Sequence, residues 1–330
     1  MIRGHVDLAV AAEQAGLDGA WIRVHHFEQN ISSPFPLLAA MGQATERVEL
    51  GTGVINMRYE NPLYMAELAG TADLVSGGRL QLGVSRGSPE VVADGPGTFG
   101  YPLPEGMRPV EDAAERIAQF RHAIAGGGVG EVSPEPYGHP GKLVDGKLPI
   151  SPVSPGLPER IWYGAGNIDS ARRVGELGMN LMSSTLILEA TGEAFGTVQA
   201  RQIAAFREAW AEAGHERTPR VSVSRSIMPI VDDVTRAYFA GVAAQDAMGG
   251  NKDQIGIIDN ARATFGKTYV GEPDVIVEQL LQDEGVMAAD TVLVTIPSQL
   301  GLDVNRITFE ALAGDIRAGV SSVADKGNDS

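Results

Sequence analysis

VELGTGVINM (48–57), PLYMAELAGTADLVSGG (62–78) and LQLGVSR (80–86) follow one another almost without interruption. The outer two are short apolar runs of strand length. The middle one is apolar at helical spacing and stops at a glycine pair, as helices commonly do. Two strands joined by a helix form a parallel pair, because only a crossover of that length returns the chain to its original direction. Strands that are apolar along their whole length are covered on both faces.

The same unit recurs along the chain. AWIRVHH (20–26) precedes SPFPLLAAMGQATER, and LQLGVSR precedes, after a long loop, PVEDAAERIAQFRHAIAGG. RIWYGAG (160–166) leads into DSARRVGELG, and NLMSSTL (180–186) into FGTVQARQIAAFREAWAEAG. RVSVSRSIMPI (220–230) precedes an acidic helical segment, and DTVLVTIP (290–297) precedes ITFEALAGDIRAGV. That makes seven strand-then-helix units, with an amphipathic helix over residues 5–15 ahead of the first. A β/α barrel begins with a strand. The expected fold is therefore α/β, a TIM (β/α)8-type barrel whose first strand is missing from this sequence, and a barrel short of one strand would expose two unpaired edges. A doubly wound open sheet would announce itself by a Gly-rich turn after its first strand, and no G-x-G-x-x-G stands there.

Three stretches break the rhythm: 87–109, 126–159 and 232–274. In the second, 15 of 34 residues are Gly or Pro, too many for regular structure. Loops of such length in a compact domain serve as lids or are disordered. The expectation is one barrel domain over 1–323 with lid insertions near those three stretches, and a flexible tail at 324–330.

Composition narrows the function. The chain has 330 residues, 43% of them hydrophobic, and a formal charge of −16, which disfavours non-specific attraction to nucleic acid or anionic lipid. With no cysteine, disulfides, iron–sulfur clusters and thiol nucleophiles are excluded. HVDLAVAAEQAGLD (5–18) is interrupted by Asp7, Glu13 and Gln14, unlike the apolar region of a signal peptide. No apolar run approaches the roughly 20 residues of a membrane-spanning helix. A cytoplasmic protein with neither nucleic-acid nor membrane partners is expected.

In a barrel the C-terminal ends of the strands gather at one mouth, where active sites sit. His25 and His26, two of only six histidines, stand at such an end and are the catalytic candidates; a hydrogen-bonded structural pair is the alternative. A metal site is not expected, since neighbouring strand residues point to opposite faces and no H-x-H or H-E-x-x-H is present. Gly51 and Gly53 either let backbone pass beneath a flat ligand or mark a bulge or close packing. Arg86, beside Gly87 and Ser88, offers planar donors to a phosphate, with an ion pair as the plain alternative. In GAGNIDSARR (164–173) the residues Gly166, Asn167 and Ser170 open a helix whose first N–H groups suit an anion; a cap by Asn167 or Asp169 is the ordinary reading. Arg86 and this turn are expected to form one phosphate pocket in an otherwise acidic protein.

The run AAEQAGLDGAWIRVHHF (11–27), continued by SPFPLLAAMGQATERVELGTGVINMRYENPLYMAELAGTADLVSGGRLQLGVSRGSPE (33–90), resembles the bacterial luciferase-like, flavin-dependent monooxygenase and oxidoreductase family. The likeness is dense over 8–90 and looser through RIWYGAGNIDSARRVGELGMNLM (160–182), GEPDVIVEQL (271–280) and DTVLVTIP. It implies a barrel enzyme that uses reduced FMN and O₂, through a C4a-(hydro)peroxide, to oxidise a small apolar substrate. A separate flavin reductase or a nicotinamide donor would supply the electrons, and relatives suggest a homodimer. By the same resemblance His25 assists catalysis and His26 supports it. Gly53 and Val54 match a non-prolyl cis peptide under the flavin ring. Arg86, Asn167 and Ser170 match phosphate contacts, with Gly166 contributing backbone at most. The resemblance leaves two other readings: an F420-dependent oxidoreductase transferring hydride without O₂, and a non-catalytic flavin-binding or partner subunit. One departure stands out. Relatives commonly carry an acidic residue before the two histidines, where this chain has Val24, so whatever that carboxylate orients must be handled differently.

Overall fold

A computed structural model describes residues 2–28, 31–87, 90–136, 138–139, 141–248, 250, 252–258 and 261–328. The helix α1 (Ile2–Ala15) comes first, and among the described residues no strand precedes it. There follow β1 (Gly19–Ile22), α2 (Pro34–Ala44), β2 (Glu49–Asn56), α3 (Pro62–Val75) and β3 (Leu80–Ser85). Among the described residues, the stretch expected as the first lid holds the one-turn α4 (Gly95–Thr98) before α5 (Pro109–Ile124), and the second holds the short β4 (Gly128–Gly130) and β5 (Leu148–Pro149) and the start of a 3-10 turn over Leu157–Arg160. Next come β6 (Ile161–Ala165), α6 (Ile168–Glu176), β7 (Asn180–Ser183), β8 (Leu186–Ile187), α7 (Phe195–Glu212) and β9 (Val221–Pro229). The third irregular stretch contains α8 (Asp233–Ala247), β10 (Gln254–Ile258), β11 (Ala261–Phe265) and β12 (Thr268–Gly271). The chain continues through α9 (Pro273–Leu281), α10 (Glu284–Ala288), β13 (Thr291–Thr295), α11 (Gly301–Ala311) and α12 (Arg317–Asn328). Residues 324–328, expected in the tail, thus continue α12; 329 and 330 lie outside the described residues.

All seven expected strands form. They share one sheet with β12, in the order β1-β2-β3-β6-β7-β9-β12, with β13 also on β9. Strand neighbours follow chain order without reversal. A doubly wound sheet reverses at a switch point, so the order is that of a β/α barrel. β12 is the addition: β9 is long enough to take β13 along residues 222–226 and β12 along 226–229, both parallel. β1 is shorter than expected and ends at Ile22, beyond which Val24 forms only an isolated bridge with Ile31.

By internal contacts the chain divides into two compact units, Ala20–Trp162 and Arg3–Gly19 with the chain from Tyr163 onward. In the first, every residue of β3 is buried, with Leu80, Leu82 and Val84 fully so, as a strand covered on both faces requires. α3 begins where the Asn61 side chain accepts from the N–H of Leu63 and Tyr64, with Pro62 at the first helical position. It ends where Gly77 and Gly78 take φ of 68° and 80°, a left-handed exit that glycine makes without a Cβ clash. The start of β3 is heavily stapled. Arg79 donates to the carbonyls of Gly42, Thr45, Val48 and Ser76. The wholly buried Asp73 accepts from Leu80 N, Ser154 Oγ and Arg160. Polar groups spent at the N-terminal ends of barrel strands serve stability, which leaves the other ends for chemistry.

In the second unit β10, β11 and β8 make a separate small antiparallel sheet in the order β10-β11-β8. Arg225 of β9 forms a bidentate pair with Asp283 at 2.8 Å on both oxygens, each side chain almost fully buried, and Tyr269 of β12 donates to the same carboxylate. Burial pushes the Asp283 carboxyl up, but Arg225 and Tyr269 more than offset it and hold the group below the usual carboxylate range. Asp283 also accepts from Val286 N at 3.1 Å and so caps α10. The pair fixes β9, β12 and α10 to one another; loss of one partner from a buried pair costs about 3–5 kcal/mol.

Candidate active site

The chain leaves β1 at Ile22 and is held by the Val24–Ile31 bridge and by His25 N donating to Ile31 O at 2.9 Å. Val24 is buried there, Arg23 is exposed, and His25 and His26 are half-buried. The two imidazoles keep different company. The Nε2 of His25 accepts from Arg23 Nε at 2.9 Å, and its Nδ1 lies 3.8 Å from Glu28 Oε1. His26 stacks on Tyr59, with ring centroids 4.2 Å apart and planes 19° from parallel, while Phe99 meets it edge-on at 5.0 Å. Phe99 also packs edge-on against Tyr59 and Phe27. Burial lowers the basicity of both histidines. Arg23 adds to the effect on His25, and Glu28 and Glu90 oppose it; on His26, Glu90 opposes burial while His25 reinforces it. Both are therefore more readily neutral than a free imidazole. Among the described residues no three His, Cys, Asp or Glu side chains gather as metal ligands.

Two loops close on this pair. Tyr59 donates its hydroxyl to Glu90, and Asn56 Nδ2 donates to the other oxygen of the same carboxylate at 3.2 Å. Burial, then Glu90, pushes the Tyr59 phenol up, so that it stays a donor. Gly87 makes the approach possible: its φ is 90°, and a Cβ there would overlap the Asn56 amide, so only glycine fits. Its N–H donates to Ser85 Oγ at 3.0 Å. Arg86 next to it is exposed and makes no hydrogen bond or ion pair among the described residues; Ser88 lies outside them.

Gly53 and Val54 lie in β2. Their peptide bond is cis, and the β2–β3 register slips between Thr52 and Ile55 around it. Gly51 has a different reason, since a side chain there would collide with the Trp21 ring; close packing accounts for it.

In the other unit the turn before α6 is satisfied from within. Asn167 Oδ1 accepts from Ser170 N at 2.9 Å, and Ser170 Oγ reciprocates by accepting from Asn167 N at 3.2 Å. The next free N–H, of Ile168, is taken by Glu189 Oε1 at 2.8 Å, a carboxylate also held by Gln202. Gly166 contributes backbone: its carbonyl accepts from Leu188 N at 2.7 Å. Asn167 is thus a helix cap, and a carboxylate of this chain already stands at the helix N-terminus.

Sequence reasoning passed over Arg23, Glu28, Tyr59, Glu90 and Phe99. The charges flanking the histidine pair were a local signal for the first two. The others come from loops after β2 and β3, and only the shared barrel mouth would have grouped them.

Parallel strands in chain order define a β/α-barrel fold, and the histidine pair lies just beyond the C-terminal end of its first strand. Residues 1–251 match the model of luciferase-like monooxygenases, and the chain belongs to that family, whose members support an oxidoreductase. Over 85 residues it is 38% identical to the 4-hydroxyprotoasukamycin monooxygenase of Streptomyces nodosus subsp. asukaensis, covering 25% of this chain and 23% of that one. Over 123 residues it is 37% identical to the F420-dependent glucose-6-phosphate dehydrogenase of Beutenbergia cavernae, covering 35% and 33%. The match thus spans about a quarter to a third of these relatives' length. The oxygenating constituent of 3,6-diketocamphane monooxygenase from Pseudomonas putida, solved with FMN, aligns over 97% of this chain and 93% of its own with a TM-score of 0.69 at 16% identity. At that identity the likeness concerns the fold, which is of the TIM-barrel type. No described helix is long and apolar enough to cross a membrane.

Proposed function

We propose that this protein is a flavin-dependent monooxygenase that uses reduced FMN and O₂ to oxidise a small apolar organic substrate. The observation that carries the reading is the half-buried His25–His26 pair just beyond β1, with His26 stacked on Tyr59 and met edge-on by Phe99 and His25 hydrogen-bonded to Arg23, in a chain of the luciferase-like family. The proposal includes one barrel domain over 1–323, lids near 87–109, 126–159 and 232–274, a cytoplasmic homodimer, and a separate flavin reductase.

The residues present fit a flavin. Arg86 offers an exposed guanidinium that meets no partner among the described residues, which suits a phosphate. Asn167 and Ser170 are the weaker candidates, because a phosphate at their turn must displace Glu189 from Ile168 N. When bound, reduced FMN supplies the electrons that activate O₂. The protein's part is to orient and to protect. His25 presents its Nδ1–H as a hydrogen-bond donor that stabilises a developing oxygen anion without giving up the proton. His26, Tyr59 and Phe99 pack on one another into an aromatic surface that an apolar substrate can cover, and Arg86 anchors the phosphate.

F420-dependent relatives, such as the Beutenbergia enzyme, keep hydride transfer to or from a deazaflavin as a second reading. Equilibrium binding of FMN and F420, each oxidised and reduced, separates them. Preferential binding of reduced FMN, followed by O₂-dependent substrate oxidation, is the expected result. Preference for F420 would replace oxygen insertion by hydride transfer. Binding of neither by folded protein would favour a subunit without catalytic function.

A further inference from the structure

Arg23 bears on the question raised by Val24. The valine is buried in its bridge to Ile31, a position where an unpaired carboxylate would be costly. Its neighbour Arg23 instead reaches round to His25, with Nε 2.9 Å from Nε2. Arginine has only donors and is charged at every accessible pH. The nitrogen it meets must therefore offer a lone pair, and the single proton of the neutral ring must sit on Nδ1. That nitrogen faces Glu28 Oε1 at 3.8 Å, too far for a hydrogen bond and close enough to act through its charge.

We propose that Arg23 is a positioning residue that locks His25 in the Nδ1–H tautomer, with Glu28 as the carboxylate that faces the protonated nitrogen. The charged groups acting on His25 are Arg23 and Glu28 from its own segment and Glu90 from the loop after β3, while His25 in turn acts on the neighbouring His26. Arg23 opposes protonation in the same direction as burial, and the two carboxylates oppose them. The functional consequence rests on the assignment of His25 made above. With Nε2 occupied, the ring can donate from Nδ1 but cannot take up a proton on the other nitrogen until Arg23 withdraws. His25 then serves as a hydrogen-bond donor, and as a base only once Arg23 has moved away.

The test is nitrogen-15 NMR of histidine-labelled protein without any cofactor, the His25 signals being those lost in His25→Gln. In the native protein the proton is expected on Nδ1, with a titration midpoint below that of free histidine. Arg23→Met removes both donor and charge. It should raise the midpoint and release the ring to a mixture of tautomers, while Arg23→Lys, which keeps a donor, restores the Nδ1–H form in part. Glu28→Gln should lower the midpoint. A native ring protonated on Nε2, or an Arg23→Met ring with unchanged tautomer and midpoint, would overturn the proposal. Because no flavin is present, these outcomes are independent of the cofactor binding that tests the oxygenase reading.

Discussion

The segment after β1 and the turn before α6 both place polar side chains at the C-terminal end of a strand, and they dispose of their hydrogen bonds in opposite ways. Before α6, Asn167 and Ser170 satisfy each other, and Glu189 takes the next N–H. After β1, two imidazoles are half-buried with their basicity lowered by burial, and at the end of β3 the guanidinium of Arg86 meets nothing among the described residues. A ligand adds its interactions to the second arrangement but must compete with those of the first. Unpaired cations and neutral imidazoles mark chemistry better than the mere presence of donors, since a donor already in use contributes to a ligand only the difference between two bonds.

The largest effect separating the regions should come from His25→Ala. Turnover is expected to fall by roughly 100-fold or more, the usual worth of a hydrogen-bond donor placed at a developing oxyanion, with FMN affinity nearly unchanged. Loss of binding at constant turnover per bound flavin would move His25 from chemistry to cofactor retention. Arg86→Ala should show the reverse pattern. Charge-assisted hydrogen bonds contribute about 1.5–3 kcal/mol, so FMN affinity should drop on the order of 10- to 100-fold, while thermal stability, measured in parallel, stays as it was. Unchanged affinity would take Arg86 out of the phosphate contact.

At α6 the expectations invert. Asn167→Ala should cost about 1 kcal/mol of stability in denaturant titration, as loss of an N-cap does, with a smaller change in FMN affinity than Arg86→Ala produces. Glu189→Gln is the sharper probe. If the turn does accept a phosphate, removing the competing charge should strengthen FMN binding a few-fold, and unchanged binding would assign the turn to structure alone.

Much of this was legible beforehand because it is local. The apolar runs of β2, β3 and β9 are long enough to read singly, and the helix exit at Gly77 and Gly78 is written in adjacent residues. β12 escaped notice because Thr268–Gly271 is a four-residue strand inside a stretch of mixed pattern, and it exists only because β9 runs far enough to pair with it. The end of β1 was read four residues too long, since Arg23–His26 looks like strand although its backbone makes only one bridge. The histidine pair was visible by adjacency. Tyr59 and Glu90 are 31 residues apart in sequence, and nothing in either loop alone announces that a phenol and a carboxylate will meet beneath Asn56.

The smallest effect concerns pH. Burial holds His25 and His26 below the ordinary imidazole value of 6.5 in the folded chain, so around and below that pH the unfolded chain binds more protons than the folded one. Stability then rises with pH wherever the unfolded state holds the extra protons. The contribution is complete above about pH 6.5 and is lost as pH falls through the lower, folded values. Both rings are half exposed and solvent screens them, so the effect should be modest. The check is a comparison of denaturation midpoints at pH 8 and pH 5.5 for the native protein and for His25→Gln with His26→Gln, which cannot titrate. The native protein should lose more stability on acidification than the double variant. An equal loss in both would mean that the histidines titrate alike folded and unfolded, and the contrast between the two regions would then rest on Arg86 alone.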